Sequence, residues 1–471
     1  MKMFFKKLST FQMIILGFIA VILAGSLILM LPFSTAENIS APFMDTLFTS
    51  VSAVCVTGLI VHDTATYWSG FGQAVILILI QIGGLGVVSA AASIALFSGK
   101  KINLKQRSTM QEALSAPQVG GIVKLTGFII RITFFIEFVG CVIMAPVFCK
   151  DFGFFKGLWY SVFHSVSAFC NAGFDLMGVK EQYSSLTSYS GHPLINIVIM
   201  LLIIIGGIGF MTLDDIKCNK FHIKKYRMQT KVILVTSGLL ILIPAVCFFF
   251  FEFSSDRWNI SLSQRIFYSL FQAVTPRTAG FNTVNFNMMK QGSIVIMLIL
   301  MLTGGSPGST AGGMKTTTLA VLISSAISVF KRREDTRFFG RRIPDDAIKK
   351  STAILMMYLS LFLIGGIIIS NIENLPILDC LFETASAIGT VGLSKGLTPE
   401  LGNASHIILM ILMFVGRVGG LTFIFAAFFS KSNSMAKLPL EKIKRINTNE
   451  NNFTNWSGKI RTSYSAKIKR T

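Results

Sequence analysis

Charge is scarce in this sequence of 471 residues: 14% are Asp, Glu, Lys or Arg, whereas 52% are hydrophobic. Soluble domains carry about 25% charged and about 45–50% apolar residues, so the composition is that of a membrane protein. Acidic residues are scarcer still, 22 against 43 Lys and Arg, and the net charge is +21. Such a charge could serve nucleic acid, but the basic residues fall between apolar runs, where they read as a topology signal; no nucleic-acid partner is expected. Cysteines are few and scattered (Cys55, Cys141, Cys149, Cys170, Cys218, Cys247, Cys380). With no CxxC and no Cys/His cluster of metal-ligand spacing, they read as free thiols in or near apolar packing. An acid/base pair, HExxH or GxSxG in a suitable setting is missing too, which argues against an enzyme. The sequence has no soluble nucleotide-binding domain, so any ATP or ADP sensitivity is expected to come from a partner.

What the sequence does have is long apolar runs, at about 11–31, 72–97, 122–148, 193–212, 232–251, 293–330, 351–369 and 405–429. Each is long enough to cross the roughly 30 Å hydrocarbon core. The first follows Lys2, Lys6 and Lys7 and resembles a signal peptide, but no small-residue cleavage site follows, so it reads as the first of eight transmembrane helices. Segments 98–124, 217–231 and 331–350 are basic, while the alternate segments carry Asp45, Asp63, Asp151, Asp175, Glu252 and Asp379. The positive-inside rule makes the basic segments and both termini cytoplasmic.

Stacking the outward segments exposes a repeat. They read FTSVSAVCVTGL (48–59), FHSVSAFCNAGF (163–174), LFQAVTPRTAGF (270–281) and FETASAIGTVGL (382–393). Gly58, Gly173, Gly280 and Gly392 recur at intervals of 115, 107 and 112 residues, each ten positions after Phe48, Phe163, Leu270 or Phe382. A period near 110 fits a helix, a re-entrant hairpin and a second helix. The expected fold is therefore all-α, with four tandem helix, pore-hairpin, helix repeats in pseudo-fourfold arrangement around one pore: repeats 1–100, 101–220, 221–340 and 341–430, then a basic tail, 431–471, read as disordered.

A re-entrant segment leaves carbonyls unpaired at membrane depth, tolerable where they face protein, water or an ion. Glycine turns successive carbonyls toward an axis, where they replace the hydration shell of a cation. An isolated glycine would read as a turn or packing residue; four in register read as an ion-selecting filter built from Val56, Thr57 and Gly58, Asn171, Ala172 and Gly173, Thr278, Ala279 and Gly280, and Thr390, Val391 and Gly392. The threonine hydroxyls either add ligands or bond internally, as threonine does in apolar helices. Small residues such as Ser52, Ser167 and Ser386 are expected to let the hairpin helices pack closely.

The sixth apolar run is broken by TGGSPGSTAGGMKTTT at 303–318. Each glycine costs a helix about 1 kcal/mol and a proline about 3, so the helix should break and leave a polar loop below the filter. Residues 303–313 are expected to gate the pore through Gly304, Gly305, Ser306, Pro307, Gly308, Ser309, Thr310, Gly312 and Gly313. A phosphate loop is the competing reading, but Met314 intrudes before Lys315 and no strand precedes. GGLG (83–86) and GGIG (206–209) read as close helix-packing sites. Arg417, in GRVGG within the last run, is expected either to latch the 303–313 loop through its carbonyls or to form an ion pair, with Glu383 a candidate partner. Arg131 and Glu137, six apart on the third run, do not face each other, and a structural role is favoured for both.

With four VTGL-like hairpins, the GGSPGSTAGGMK loop and the arginine, the chain resembles the Trk/Ktr/HKT superfamily of potassium transporters over about 10–430. Eight spans look more like its Ktr-type bacterial subunit than the longer Trk-type one. The resemblance implies potassium uptake across a bacterial cytoplasmic membrane, often sodium-dependent, by a homodimer regulated by a cytosolic ring of RCK-type nucleotide-binding subunits. It implies no cofactor in this chain, potassium at the filter residues, a gate at 303–313 and a latch at Arg417. Only TVGL at 390–393 approaches the TVGYG of tetrameric potassium channels, so weaker discrimination against sodium is expected. Basic segments are expected to meet anionic lipids. The alternative is a secondary transporter of another cation or small solute, whose broken helices form midplane sites.

Overall fold

The computed structural model describes residues 9–97, 104–113 and 120–419. The lysines at 2, 6 and 7, Lys100, Lys101, the end of the last apolar run and the tail 431–471 lie outside the described residues. Helix α1 (Thr10–Leu29) starts at a capping box: Ser9 Oγ accepts the Gln12 N–H at 3.2 Å, and Gln12 Oε1 accepts the Ser9 N–H at 3.0 Å. Two amides that an apolar run could not satisfy are thereby paired. A short helix follows, α2 (Phe43–Cys55), then a return helix in two parts, α3 (Gly70–Leu85) and α4 (Val87–Phe97).

The same order then recurs. After the short α5 (Leu104–Ala113) come α6 (Ile122–Phe152), α7 (Phe154–Cys170), α8 (Pro193–Ile208) and α9 (Phe210–Asn219). Next are α10 (Met228–Cys247), α11 (Leu262–Val274), α12 (Gln291–Leu302) and α13 (Thr316–Phe330). The last set is α14 (Asp345–Glu373), α15 (Ile377–Gly389) and α16 (Asn403–Val418). Among the described residues the only strands are β1 (Arg337–Phe338) and β2 (Arg341–Arg342), an antiparallel ribbon before α14.

Among the described residues α1, α6, α14 and α10 with its extension to Glu252 are each long and apolar enough to cross a membrane, and two bent pairs, each counted as one span, bring the number to six. Those bends correct the expected continuous spans. The chain turns by 100° between α3 and α4 at Gly86 and by 96° between α8 and α9 at Gly209. Both glycines have positive φ, which ends the helical ladder, and α16 stops at a third such residue, Gly419. The freed polar groups find partners: Gly207 O accepts the Ser306 N–H at 2.9 Å, and the Phe210 N–H donates to Gly308 O at 2.8 Å.

The return helix of each set packs on the short helix of the next. Helix α3 lies against α7, α8 against α11, α12 against α15, and α16 returns to α2. The order closes on itself.

Candidate ion pathway

The short helices α2, α7 and α15 end alike. Val56, Asn171 and Thr390 follow them at φ 56°, 59° and 51°, and the next amide bonds back to Ser52, Ser167 or Ser386 O at 2.8 Å in every case. This left-handed cap satisfies carbonyls that a helix end leaves open and turns the chain sharply. The third hairpin is built differently. Pro276 follows α11, Thr275 stays right-handed, and the left-handed turn comes only at Thr278, φ 70°. Leu270, expected to match Phe48, Phe163 and Phe382, is only partly buried, whereas Phe271 is wholly buried as those three are. The hairpin is one residue shorter between its anchoring ring and its glycine.

Beyond these caps the four glycines meet. Gly58, Gly173, Gly280 and Gly392 have φ of 92°, 71°, 79° and 92°. A Cβ on Gly58 would strike Ala172 O, on Gly173 Ala279 O, on Gly280 Val391 O, and on Gly392 Thr57 O, each under 3.0 Å. Every glycine thus backs onto the carbonyl that precedes the next one, in cyclic order. Of the expected filter residues, the four glycines with Thr57, Ala172, Ala279 and Val391 make this ring of contacts, and Val56, Asn171, Thr278 and Thr390 each stand one position before its carbonyls.

Hydroxyl groups hold it from behind. Ser52 Oγ and Ser386 Oγ accept the amides of Gly58 at 3.1 Å and Gly392 at 3.0 Å, while Ser167 Oγ and Thr275 Oγ1 donate to Phe174 O and Phe281 O, both at 2.6 Å. The serines do more than permit close packing. Thr275 escapes the sequence repeat because it stands five residues before its glycine rather than six. Thr57 Oγ1, Thr278 Oγ1, Thr390 Oγ1 and Asn171 Oδ1 are buried with no hydrogen-bond partner, so the threonines are not internally bonded here. Buried polar oxygens without a protein partner suit a cation or its water.

Outside the ring a cavity of about 240 Å³ is lined by the four glycines, Asp63, Asp175 and Glu400. Asp63 Oδ2 accepts the Tyr183 N–H at 3.1 Å, tying two hairpins' outer loops together, and Asp175 Oδ1 accepts the Met177 N–H at 2.9 Å. Burial pushes the Asp175 carboxyl up to about 7, opposed by the Met177 bond.

On the opposite side the loop after α12 crosses beneath the ring. Gly304 N–H donates to Met314 O at 2.7 Å and Thr316 N–H to Gly305 O at 3.1 Å, closing the loop on itself. Ser306 bonds Thr316 through their hydroxyls at 3.0 Å, and Ser309 Oγ donates to Ser306 O at 2.6 Å. Pro307 O lies where a Gly209 Cβ would project, at 2.6 Å. Thr310 Oγ1 donates to Phe169 O at 2.9 Å and accepts from Asn171 Nδ2 at 2.8 Å. A Cβ on Gly312 would strike the Thr390 hydroxyl, and the Gly313 N–H donates to Gly416 O at 3.1 Å. Lys315 Nζ caps Ala311 O at 2.9 Å. The loop therefore touches the bases of two hairpins. Below it, a second cavity of about 260 Å³ is lined by Gly308, Lys315, Arg417 and Glu112.

Arg417 donates to Thr310 O and Gly83 O, and to Gly84 O at 3.3 Å. The candidate ion pair with Glu383 is not formed: Glu383 accepts from Ser394, Thr398 and the Lys395 N–H. Gly83, Gly206 and Gly416 each back onto the carbonyl two residues before a left-handed cap: Val54, Phe169 and Ile388. GRVG at 416–419 is thus a third copy of GGLG and GGIG, with Arg417 where those carry a second glycine. That alignment is present in the sequence and identifies the site of Arg417. Glu137 accepts from Gln81 Nε2 at 3.4 Å, away from Arg131.

Residues 2–437 match the TrkH family of cation transport proteins, and the chain belongs to that family. It is 41% identical to Ktr system potassium uptake protein B of Bacillus subtilis, over 88% of this chain and 92% of the relative. It is 37% identical to the potassium/sodium uptake protein NtpJ of Enterococcus hirae, over 93% and 97%. Its fold matches the potassium transporter TrkH from Vibrio parahaemolyticus with a TM-score of 0.68 at 20% identity, over 88% of this chain and 84% of that one.

Proposed function

We propose that this chain takes up potassium across a bacterial cytoplasmic membrane through a gated, channel-like pore, with sodium as a second or coupling ion. The observation that carries the reading is the cyclic contact of the four glycines, each on the carbonyl before the next. Carbonyls and unpartnered threonine hydroxyls in a ring replace a cation's hydration shell without any charged side chain. The eight spans are α1, α6, α10 and α14 with the return segments α3–α4, α8–α9, α12–α13 and the one that α16 begins, pseudo-fourfold about the ring, both termini cytoplasmic. Two of the most similar relatives, one named for potassium uptake and one for potassium/sodium uptake, support the choice of ion.

Residues 303–313 act as the gate and Arg417 as its latch, placing a positive charge under the filter while the loop blocks it. The Bacillus relative is named as one protein of a Ktr system, which supports a further component beside this chain; we assign a homodimer regulated by a cytosolic RCK-type nucleotide-binding ring. The purified full-length chain in liposomes tests the reading: potassium-driven uptake of a tracer cation should exceed sodium-driven uptake. Equal tracer uptake with a potassium, sodium or choline gradient would overturn it.

A further inference from the structure

Arg131 plays no part in the pathway described above, yet it stands exposed on a membrane helix. Helix α6 has 31 residues, about 46 Å, some 16 Å longer than a 30 Å hydrocarbon core. From Arg131 to Lys150 the helix runs about 28 Å, and the one other charge between them, Glu137, is buried against Gln81. The two basic residues therefore bracket the core, with Arg131 at its inner boundary, where long cationic side chains reach the headgroups.

Lys124, Phe128, Arg131 and Phe135 recur every three or four residues, on one face of α6. The bend at Gly209 brings α9 alongside, and Lys217 Nζ sits 4.9 Å from the Phe128 ring centroid. These residues line a groove of about 810 Å³. Among the described residues none of the three cations is in an ion pair. Three positive charges converge at headgroup depth above an apolar floor.

We propose that Lys124, Arg131 and Lys217 bind the phosphate of an anionic phospholipid of the cytoplasmic leaflet, with an acyl chain along Phe135. A phosphatidylglycerol headgroup brings a net negative charge to the three cations, whereas in phosphatidylcholine the choline cation cancels the charge of the phosphate. The apolar floor and membrane depth favour a lipid over a soluble phosphate. The site rests on the orientation proposed above.

Native mass spectrometry of the full chain purified with equal phosphatidylglycerol and phosphatidylcholine tests the site. The wild type should retain phosphatidylglycerol preferentially, and the triple variant Lys124→Gln, Arg131→Gln, Lys217→Gln should lose about tenfold or more of it. The control Lys156→Gln, Arg257→Gln, exposed cations outside the basic segments, should retain it. Equal retention of both lipids by the wild type, or undiminished phosphatidylglycerol in the triple variant, overturns the proposal; Arg131→Gln alone gives the same readout should the triple variant aggregate. Orientation is read separately from Cys218, which is exposed beside Lys217. In a variant keeping it as the sole cysteine, an impermeant maleimide should label inside-out vesicles and not intact cells. The reverse pattern overturns the orientation, while the lipid competition still reads the groove.

Discussion

The Arg417 guanidinium donates to the backbone carbonyl of Thr310, while the hydroxyl of the same threonine accepts from Asn171 at 2.8 Å. One residue of the proposed gate thus joins the latch to the base of the proposed filter. Arg417 also holds Gly83 O, so a single side chain spans the loop and the first return helix.

Removing the latch should open the pore. Hydrogen bonds to charged groups contribute about 1.5–3 kcal/mol each, and Arg417→Gln weakens the one that Arg417 makes to the loop, at Thr310 O. Potassium flux in liposomes should rise several-fold, and Arg417→Lys, lacking the planar fork, should fall between. Unchanged or reduced flux from a monodisperse variant would contradict the latch.

The third hairpin should depend on Thr275. Thr275→Val keeps the shape but removes the donor to Phe281 O, leaving a buried carbonyl unpaired at about 1–3 kcal/mol. Preference for potassium over sodium in competition uptake should fall several-fold, and Thr275→Ser should restore it. Wild-type preference in Thr275→Val would remove the hydroxyl from the filter's support.

External pH should tune uptake through Asp175. Burial holds its carboxyl near 7, so the group is ionised above that pH and neutral below it. Ionised, it adds a negative charge beside the four glycines that attracts cations. The potassium concentration for half-maximal uptake should therefore rise as external pH falls from about 8 to 6. Asp175→Asn should show the low-pH value throughout; a variant that keeps the full pH dependence would exclude Asp175 as its source.

Much of this was legible in the sequence because it is local. A glycine at a fixed distance after a buried phenylalanine marks three hairpins, and the crowd of glycines around Pro307 marks the broken helix. The third hairpin misled, since Pro276 shifts its ring anchor from Leu270 to Phe271 without moving its glycine. Apolar composition concealed the bends at Gly86 and Gly209, because hydropathy records burial and not direction. The Arg417–Gly83 bond joins residues far apart in the chain, and only the closing of α16 onto α2 brings those ends together.

The central claim is that the four glycines form one ion-selecting ring, and the most direct test is growth of a potassium-uptake-deficient bacterium at low potassium. The wild-type chain should rescue growth, whereas Gly58→Ser, Gly280→Ser and Gly392→Ser, each placing a Cβ against a neighbouring carbonyl, should fail or admit sodium at normal membrane expression. Rescue by all three variants equal to the wild type, with unchanged preference for potassium over sodium, would contradict it.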